Sequence, residues 1–282
     1  MRADHLLPML AAVPRSILHR VRARPAARQV QFTPPAVRGG NILYFWQWAY
    51  LEQARGRRAS VLATEHMEEW LAEFPALQRL TVERSRVRPL DARVFATRHH
   101  VGQSFTLEQN AEFCRWLLRE SPSFARHLDS AQSQLDERTC VVNVRRGDYY
   151  SNPEFHRQFA IDIVAHVRSA MEALTEAGRS TEDILVVSDD PAWCREHLPL
   201  PSPPRFLEHR SSLFDDLAAL AASRTLVLAN STFSYWGSHL ARSLDDHHLA
   251  VAPPYHQRAT DGRLIDDLFD PRWIRTPVQG RT

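Results

Sequence analysis

Lysine is absent from this 282-residue chain, and all 35 of its basic side chains are arginine. That removes a P-loop lysine, a Schiff-base lysine and a lysine general base, and with them several enzyme classes. Cysteine is scarce too: Cys114, Cys140 and Cys194 are widely spaced and odd in number. Neither a disulfide framework nor a CxxC metal or redox pair is on offer, and a reducing cytoplasm suits such a chain. No run of 18 apolar residues occurs, so nothing has the length of a membrane-spanning helix. Leu6 to Val13 is shorter still and follows Asp4, the wrong sign for a secretory leader. HExxH, GxSxG and GxGxxG are missing, and no two Asp stand two positions apart. The Asp-x-Asp device that holds a nucleotide diphosphate through a divalent ion is therefore absent. Two HisHis pairs, 99–100 and 247–248, make poor metal sites because adjacent side chains diverge on any regular element.

Charge is unevenly placed. Residues 1–28 carry six Arg against the single acid Asp4, a net of +5, while the rest holds 29 Arg against 32 acids, a net of −3. The first 28 residues read as a basic, poorly ordered leader, with weak attachment to a membrane surface as the second reading. A slightly negative body lacks the concentrated positive face that nucleic acid requires. The Arg-rich stretch from Arg79 to His100 is the local exception, and it reads as a solvated surface.

With 44% hydrophobic residues, the chain can build one large domain or two medium ones. In the first half, Gln29–Thr33 and Ser60–Ala63 are strand candidates. An aromatic helix is expected over Ile42–Ala54 after the Gly39-Gly40-Asn41 turn, a short one over Glu65–Phe74, and another over 107–120. The second half alternates more clearly. Strands are expected at Cys140–Val144, Ile184–Val187 and Thr225–Ala229, and helices at Ile161–Ala177, Leu213–Ala222 and Phe233–Leu244. Gly178 stands where a helix C′ glycine belongs, and Asp190-Pro191 can cap and open a further helix. Such alternation argues for parallel sheets covered by helices. Residues 121–138, polar and containing Pro122, read as the boundary between an N-terminal α/β domain (29–130) and a C-terminal nucleotide-binding domain (131–282).

Ligands of open parallel sheets bind beyond the carboxyl ends of the strands, where helix N-termini favour anions. Three strand ends in the second half are polar. Arg145-Arg146-Gly147-Asp148-Tyr149 follows the first, Ser188-Asp189-Asp190-Pro191 the second, and Asn230-Ser231-Thr232-Phe233-Ser234 the third. An Arg pair offers a bidentate fork to phosphate oxygens. Asn-Ser-Thr at a helix start offers hydroxyls and N–H groups to the same diphosphate, and the carboxylates can bind hydroxyls or a base edge. Each alone is an ordinary loop lock or helix cap; together they point to a nucleotide-diphosphate site. Of only nine glycines, four fall in the proposed site segments: Gly39 and Gly40 in the N-terminal turn, Gly147 after the first strand and Gly237 after the third.

At these residues the sequence resembles a known family. Val141 to Tyr149 (VVNVRRGDY), Val187 to Glu196 (VSDDPAWCRE) and Ala229 to Leu240 (ANSTFSYWGSHL) are similar to the three shared motifs of bacterial α-1,2-fucosyltransferases of glycosyltransferase family 11, distant kin of α-1,6- and protein O-fucosyltransferases. Asp216-Leu217 stands upstream of the third motif where the family places an Asp-Leu pair, and Gly39-Gly40-Asn41 is similar to its glycine-rich turn. The resemblance runs from about residue 29 to about residue 245.

It implies a GT-B-like pair of Rossmann-type α/β domains with parallel sheets, GDP-fucose as donor, and inverting transfer with neither metal nor other cofactor. The acceptor would be a galactose hydroxyl of a surface glycan or its lipid-linked precursor, in the cytoplasm or at the inner face of the membrane. Arg145 would contact the β-phosphate, with Arg146 and Asp148 shaping that loop. Thr232 or Ser231 would add phosphate contacts, alongside Asn230 and Ser234 of the same motif. Asp216 would read the guanine edge, Asp189 and Asp190 would hold the loop below the nucleotide, and Asn41 would approach from the N-terminal half. Asp148, Glu154 and His156 stay open as the general base. Two positions depart from the family: Asn143 replaces a His at a guanine-contact position, and Ile42 replaces a Gln, which takes a polar group out of the donor or acceptor cleft. A different nucleotide sugar, a non-catalytic binding relative and a nucleic-acid binder are the rival readings.

Overall fold

β-Branched and apolar runs too short for helices become strands buried on both faces, and the amphipathic stretches between them become the helices that cover them. The computed structural model describes residues 27–34, 37–95 and 105–278. The leader 1–28, with its membrane-surface reading, falls outside these residues except for its last two positions. His99, His100 and the end of the Arg79–His100 stretch fall outside as well.

The first half forms a four-stranded parallel sheet in the order β3-β2-β1-β4, with β1 at Gln29–Phe32, β2 at Ala59–Leu62, β3 at Thr81–Val82 and β4 at Ala92–Phe95. The second half forms a six-stranded parallel sheet in the order β12-β9-β8-β5-β6-β7. Its strands are β5 (Thr139–Val144), β6 (Asp183–Ser188), β7 (Arg205–Phe206), β8 (Thr225–Val227), β9 (Leu249–Ala252) and β12 (Ile274–Arg275). A small antiparallel pair, β10 (Gln257–Arg258) and β11 (Leu264–Ile265), lies between the last two. This is the two-sheet, GT-B-like α/β architecture expected from the sequence.

Strand alternation sorts the core. Val141 of β5 and Leu185 of β6 face one apolar cluster, which also holds Trp46, Val61, Trp70, Phe113 and Trp236. That cluster is continuous between the two sheets. Cys140, Val142, Val144, Ile184 and Val186 face a second cluster under the helix Ile163–Glu176. That helix ends as its sequence promised, with Gly178 at φ 72°. Asp190 caps the helix Pro191–His197 by accepting the Trp193 N–H at 3.1 Å.

The stretch expected to be a domain boundary carries a helix, Pro122–Gln132, which buries Phe124, Leu128 and Ala131. Its spacing of apolar residues packs against the helix Leu213–Ala222. Among the described residues, no helix is long and apolar enough to cross a membrane.

Candidate functional site

Strand order brings the three polar loops together. β5 lies between β8 and β6, with Val142 paired to Val227 and Asn143 to Val187. The chain leaves β5 toward β6 on one side and returns as β8 on the other, so the carboxyl end of β5 is a topological switch point, where open α/β sheets form their ligand crevice.

Arg145 sits at that point. Its guanidinium lies 2.8 Å from an Asp148 oxygen and 2.9 Å from an Asp189 oxygen, while 41% of the side chain stays exposed. Burial works against its charge, yet Asp189 and Asp148 outweigh burial and raise its pKa above the ordinary guanidinium value. The cation is thus fixed in place with part of its surface open. Gly147, at φ 26°, makes the arrangement possible: a Cβ there would stand 2.8 Å from the Asp189 carboxylate and 3.3 Å from the Arg145 guanidinium carbon. Arg146 is held differently. Its guanidinium lies 4.1 Å from the Trp193 ring centroid and 5.0 Å from that of Tyr150, and its Nε donates to Asp190 at 3.0 Å. Its backbone N–H donates to Asp189 at 2.8 Å. Arg146, Asp189 and Asp190 therefore lock the loop that presents Arg145.

The third loop opens the helix Thr232–Leu244, whose N-cap Ser231 makes no side-chain cap hydrogen bond. The N–H groups of its first turn have no intrahelical carbonyl, which makes this end a place for an anion. The N-terminal half reaches the same spot. A Cβ on Gly40 would lie 2.5 Å from the Phe233 nitrogen and 2.6 Å from the Thr232 carbonyl carbon. Only a glycine lets the helix Gly40–Ala54 start so close to this second helix start. Asn41, half-buried, follows on the next position.

Asp216, 8% exposed, accepts from Arg210 at 2.6 Å through Oδ2, while its buried Oδ1 has no partner. Burial raises its pKa, with Arg210 opposing and Asp189 adding to the rise. An orphaned buried carboxylate oxygen close enough to sense Asp189 suits a ligand that donates hydrogen bonds. Arg210, which holds this carboxylate, escaped sequence reasoning because it lies in an irregular loop six residues upstream.

Other expected contacts are engaged within the protein. Ser234 is fully buried, and its hydroxyl accepts the Ala229 N–H at 3.0 Å. Asn230 donates to the Phe159 carbonyl at 2.6 Å and accepts from the Tyr235 hydroxyl at 3.2 Å. Asn143 donates to the Val187 carbonyl at 2.9 Å, tying β5 to β6. These three side chains shape the crevice floor. Tyr149 stacks on Phe159 at 4.9 Å, and with Arg145 and Asn230 it lines a cavity of about 10 Å³ beneath the site, room for a single water. Glu154 and His156 are exposed on the helix Pro153–Phe159, and the His156 ring meets Tyr150 edge-on at 5.6 Å. Ile42 corrects an expectation: it is fully buried in the inter-sheet core. The helix turns this position away from the cleft, so its apolar side chain takes no polar group out of it. Among the described residues, no group of three or more His, Cys, Asp or Glu is placed to hold a metal ion.

Residues 53–276 match the sequence model described as Glycosyl transferase family 11. An α-1,2-colitosyltransferase of Escherichia coli is 26% identical over 151 residues, which is 48% of this chain and 46% of that protein. The match thus spans about half the length of this curated relative. A glycosyl transferase family 9 protein from Veillonella parvula superposes with a TM-score of 0.42 at 10% identity, over 91% of this chain and 88% of that one. The iron-containing dodecameric glycosyltransferase TibC of enterotoxigenic E. coli superposes with a TM-score of 0.41 at 8% identity, over 87% of this chain and 62% of that one.

Proposed function

The chain belongs to glycosyl transferase family 11, and from that premise we propose that it transfers fucose from GDP-fucose to a galactose hydroxyl of a glycan or its lipid-linked precursor, in the cytoplasm and with inversion at the anomeric carbon. The observation that carries this reading is the convergence at the end of β5: a fixed, part-exposed Arg145, the helix start at Ser231 and Thr232 that no side chain caps, and the orphaned oxygen of Asp216.

On this reading the diphosphate lies between Arg145 and the first-turn N–H groups, and Asp216 Oδ1 accepts from the guanine edge. As the bond from the anomeric carbon to the phosphate oxygen breaks, negative charge grows on the departing GDP. A preorganised guanidinium and aligned N–H groups stabilise that charge where other enzymes use a divalent ion. The acceptor hydroxyl attacks the opposite face, and its proton passes to a base on that side, for which Asp148, Glu154 and His156 are the candidates.

A second reading keeps the mechanism and changes the donor sugar, and similarity to the α-1,2-colitosyltransferase favours it. Release of GDP from GDP-fucose, measured in EDTA with and without N-acetyllactosamine, separates the readings. Acceptor-dependent release supports fucosyl transfer. No release across a panel of galactosides, with GDP still bound, favours another donor or a binding relative.

A further inference from the structure

Two adjacent acids in the first turn of the helix Leu213–Ala222 are put to different uses. Asp215 accepts the Ser211 N–H at 2.7 Å, the Ser212 N–H at 2.8 Å and the Ser211 hydroxyl at 3.0 Å through one oxygen, and pairs with His127 at 2.6 Å through the other. It thereby pins the loop that carries Arg210 to the start of the helix. Asp216 is left half-answered. Arg210 donates to its Oδ2 at 2.6 Å, while its buried Oδ1 has no partner among the described residues. The Arg210 side chain is 40% exposed against 11% for Asp216, so the cation approaches from the solvent side.

The protonation state of Asp216 decides what that oxygen can bind. Ionised, the carboxylate only accepts; protonated, it can also donate. Burial pushes its pKa up and Arg210 opposes burial, while Asp215 and Asp189 add repulsion. Other charges on the packed elements are already engaged. His127, from the helix Pro122–Gln132, holds Asp215 and lies 3.6 Å from Glu73. Asp189, beyond β6, holds Arg145 at 2.9 Å. β5 and β6 bring Val141 and Leu185 to the shared core, and the helix Thr232–Leu244 meets Leu220 at Gly237. Arg210 is therefore the cation that opposes burial and keeps this carboxylate ionised.

Charge at this point selects among bases. The Watson–Crick edge of guanine presents two adjacent donors, an N–H and an NH2, whereas that of uracil presents one N–H between two carbonyls. An ionised acceptor favours the first and repels the carbonyl oxygens of the second; a neutral carboxyl separates them far less. Resting on the guanosine reading of this site, we propose that Arg210 is a positioning residue for donor choice: by holding Asp216 Oδ2 it fixes the carboxylate as a charged acceptor whose Oδ1 is left for the base. Selectivity then depends on a loop cation that itself touches no nucleotide atom.

Calorimetric titration of the full chain with GDP and with UDP, from about pH 6 to about pH 8, tests this in the wild type and in Arg210→Met, Arg210→Gln and Arg210→Lys. The ratio of the two affinities cancels the phosphate titration that both nucleotides share. In the wild type that ratio should favour GDP and stay level. Arg210→Met removes the cation, so the Asp216 pKa climbs and the GDP preference should fall as pH drops, by up to about tenfold per pH unit, and recover toward pH 8. Arg210→Gln, which keeps a donor for Oδ2 without charge, should follow it. Arg210→Lys should restore the level profile, because the contact is one hydrogen bond to one oxygen and needs no fork. A merely structural role would weaken binding by the same factor at every pH. That result overturns the proposal, as does an equal loss of GDP and UDP, which would make Arg210 a phosphate contact. A wild-type GDP preference that Arg210→Met and Arg210→Gln retain at every pH strikes this inference alone, whereas a wild type with no GDP preference strikes the donor reading and this inference together.

Discussion

Replacing Gly40 with Ala tests whether the two halves are locked together at the nucleotide crevice. The added Cβ would stand 2.5 Å from the Phe233 nitrogen, 2.6 Å from the Thr232 carbonyl carbon and 2.8 Å from the Phe233 Cα. All three are backbone atoms, so no side chain can swing aside. Contact at an ordinary distance near 3.5 Å requires the helix starts to separate by about 1 Å. Overpacking of this kind costs about 1–3 kcal/mol, which lowers Tm by about 2–5 °C in a chain of this size. The same displacement moves the N–H groups offered to the diphosphate, and a misplacement of about 1 Å can slow turnover about a hundredfold. Gly237 is the control: its Cβ would meet Leu220 Cβ at 2.4 Å, inside a helix-helix contact. Thermal unfolding and calorimetric GDP titration of both variants make the comparison. Gly237→Ala should lose stability and keep GDP affinity, whereas Gly40→Ala should lose both. Wild-type GDP affinity in Gly40→Ala would refute the reasoning.

Further expectations follow from individual contacts. Arg145→Lys cannot keep both carboxylate pairs and a forked phosphate contact, so GDP affinity should fall about tenfold or more while Tm changes little; calorimetry reads this. Asp216→Asn should weaken GDP by about 10–100-fold and leave UDP binding unchanged, because only the base contact alters. Burial pushes His166, His239, His248 and His256 down to about 4. The unfolded chain takes up these protons near pH 6.5 and the folded chain does not, so stability should be full above that pH and decline toward pH 4. The slope reaches about 1.4 kcal/mol per pH unit for each ring. A denaturation midpoint flat between pH 7 and pH 4.5 would contradict this.

Legibility from sequence followed the range of the interactions. The helix over Leu213–Ala222 was readable to the residue, and Asp190, Pro191 and Gly178 marked their helix ends because caps are local chemistry. β4 was not readable: Ala92–Phe95 lies in an Arg-rich stretch, alternates only between half-buried and exposed positions, and is fixed by parallel pairing to β1. The helix Pro122–Gln132 did carry signals, with Pro at its start and Phe124 and Leu128 four apart, but its polar content masked them. At the site, the Arg145–Asp148 pair is an i,i+3 contact visible in the motif, while the Asp189 partner is 44 residues away. The contact between Gly40 and Phe233 has no local signature at all. Ile42 was misplaced because the helix Gly40–Ala54 is apolar on nearly every face, so sequence periodicity could not tell cleft from core.

The central claim is that the carboxyl end of β5 holds a guanosine diphosphate through Arg145. Calorimetric titration of the wild type and Arg145→Ala with GDP and UDP tests it most directly. The account predicts that GDP binds the wild type far more tightly than UDP, and that Arg145→Ala loses GDP binding while keeping its cooperative unfolding transition. Equal or tighter binding of UDP, or a folded Arg145→Ala that binds GDP as the wild type does, would contradict it.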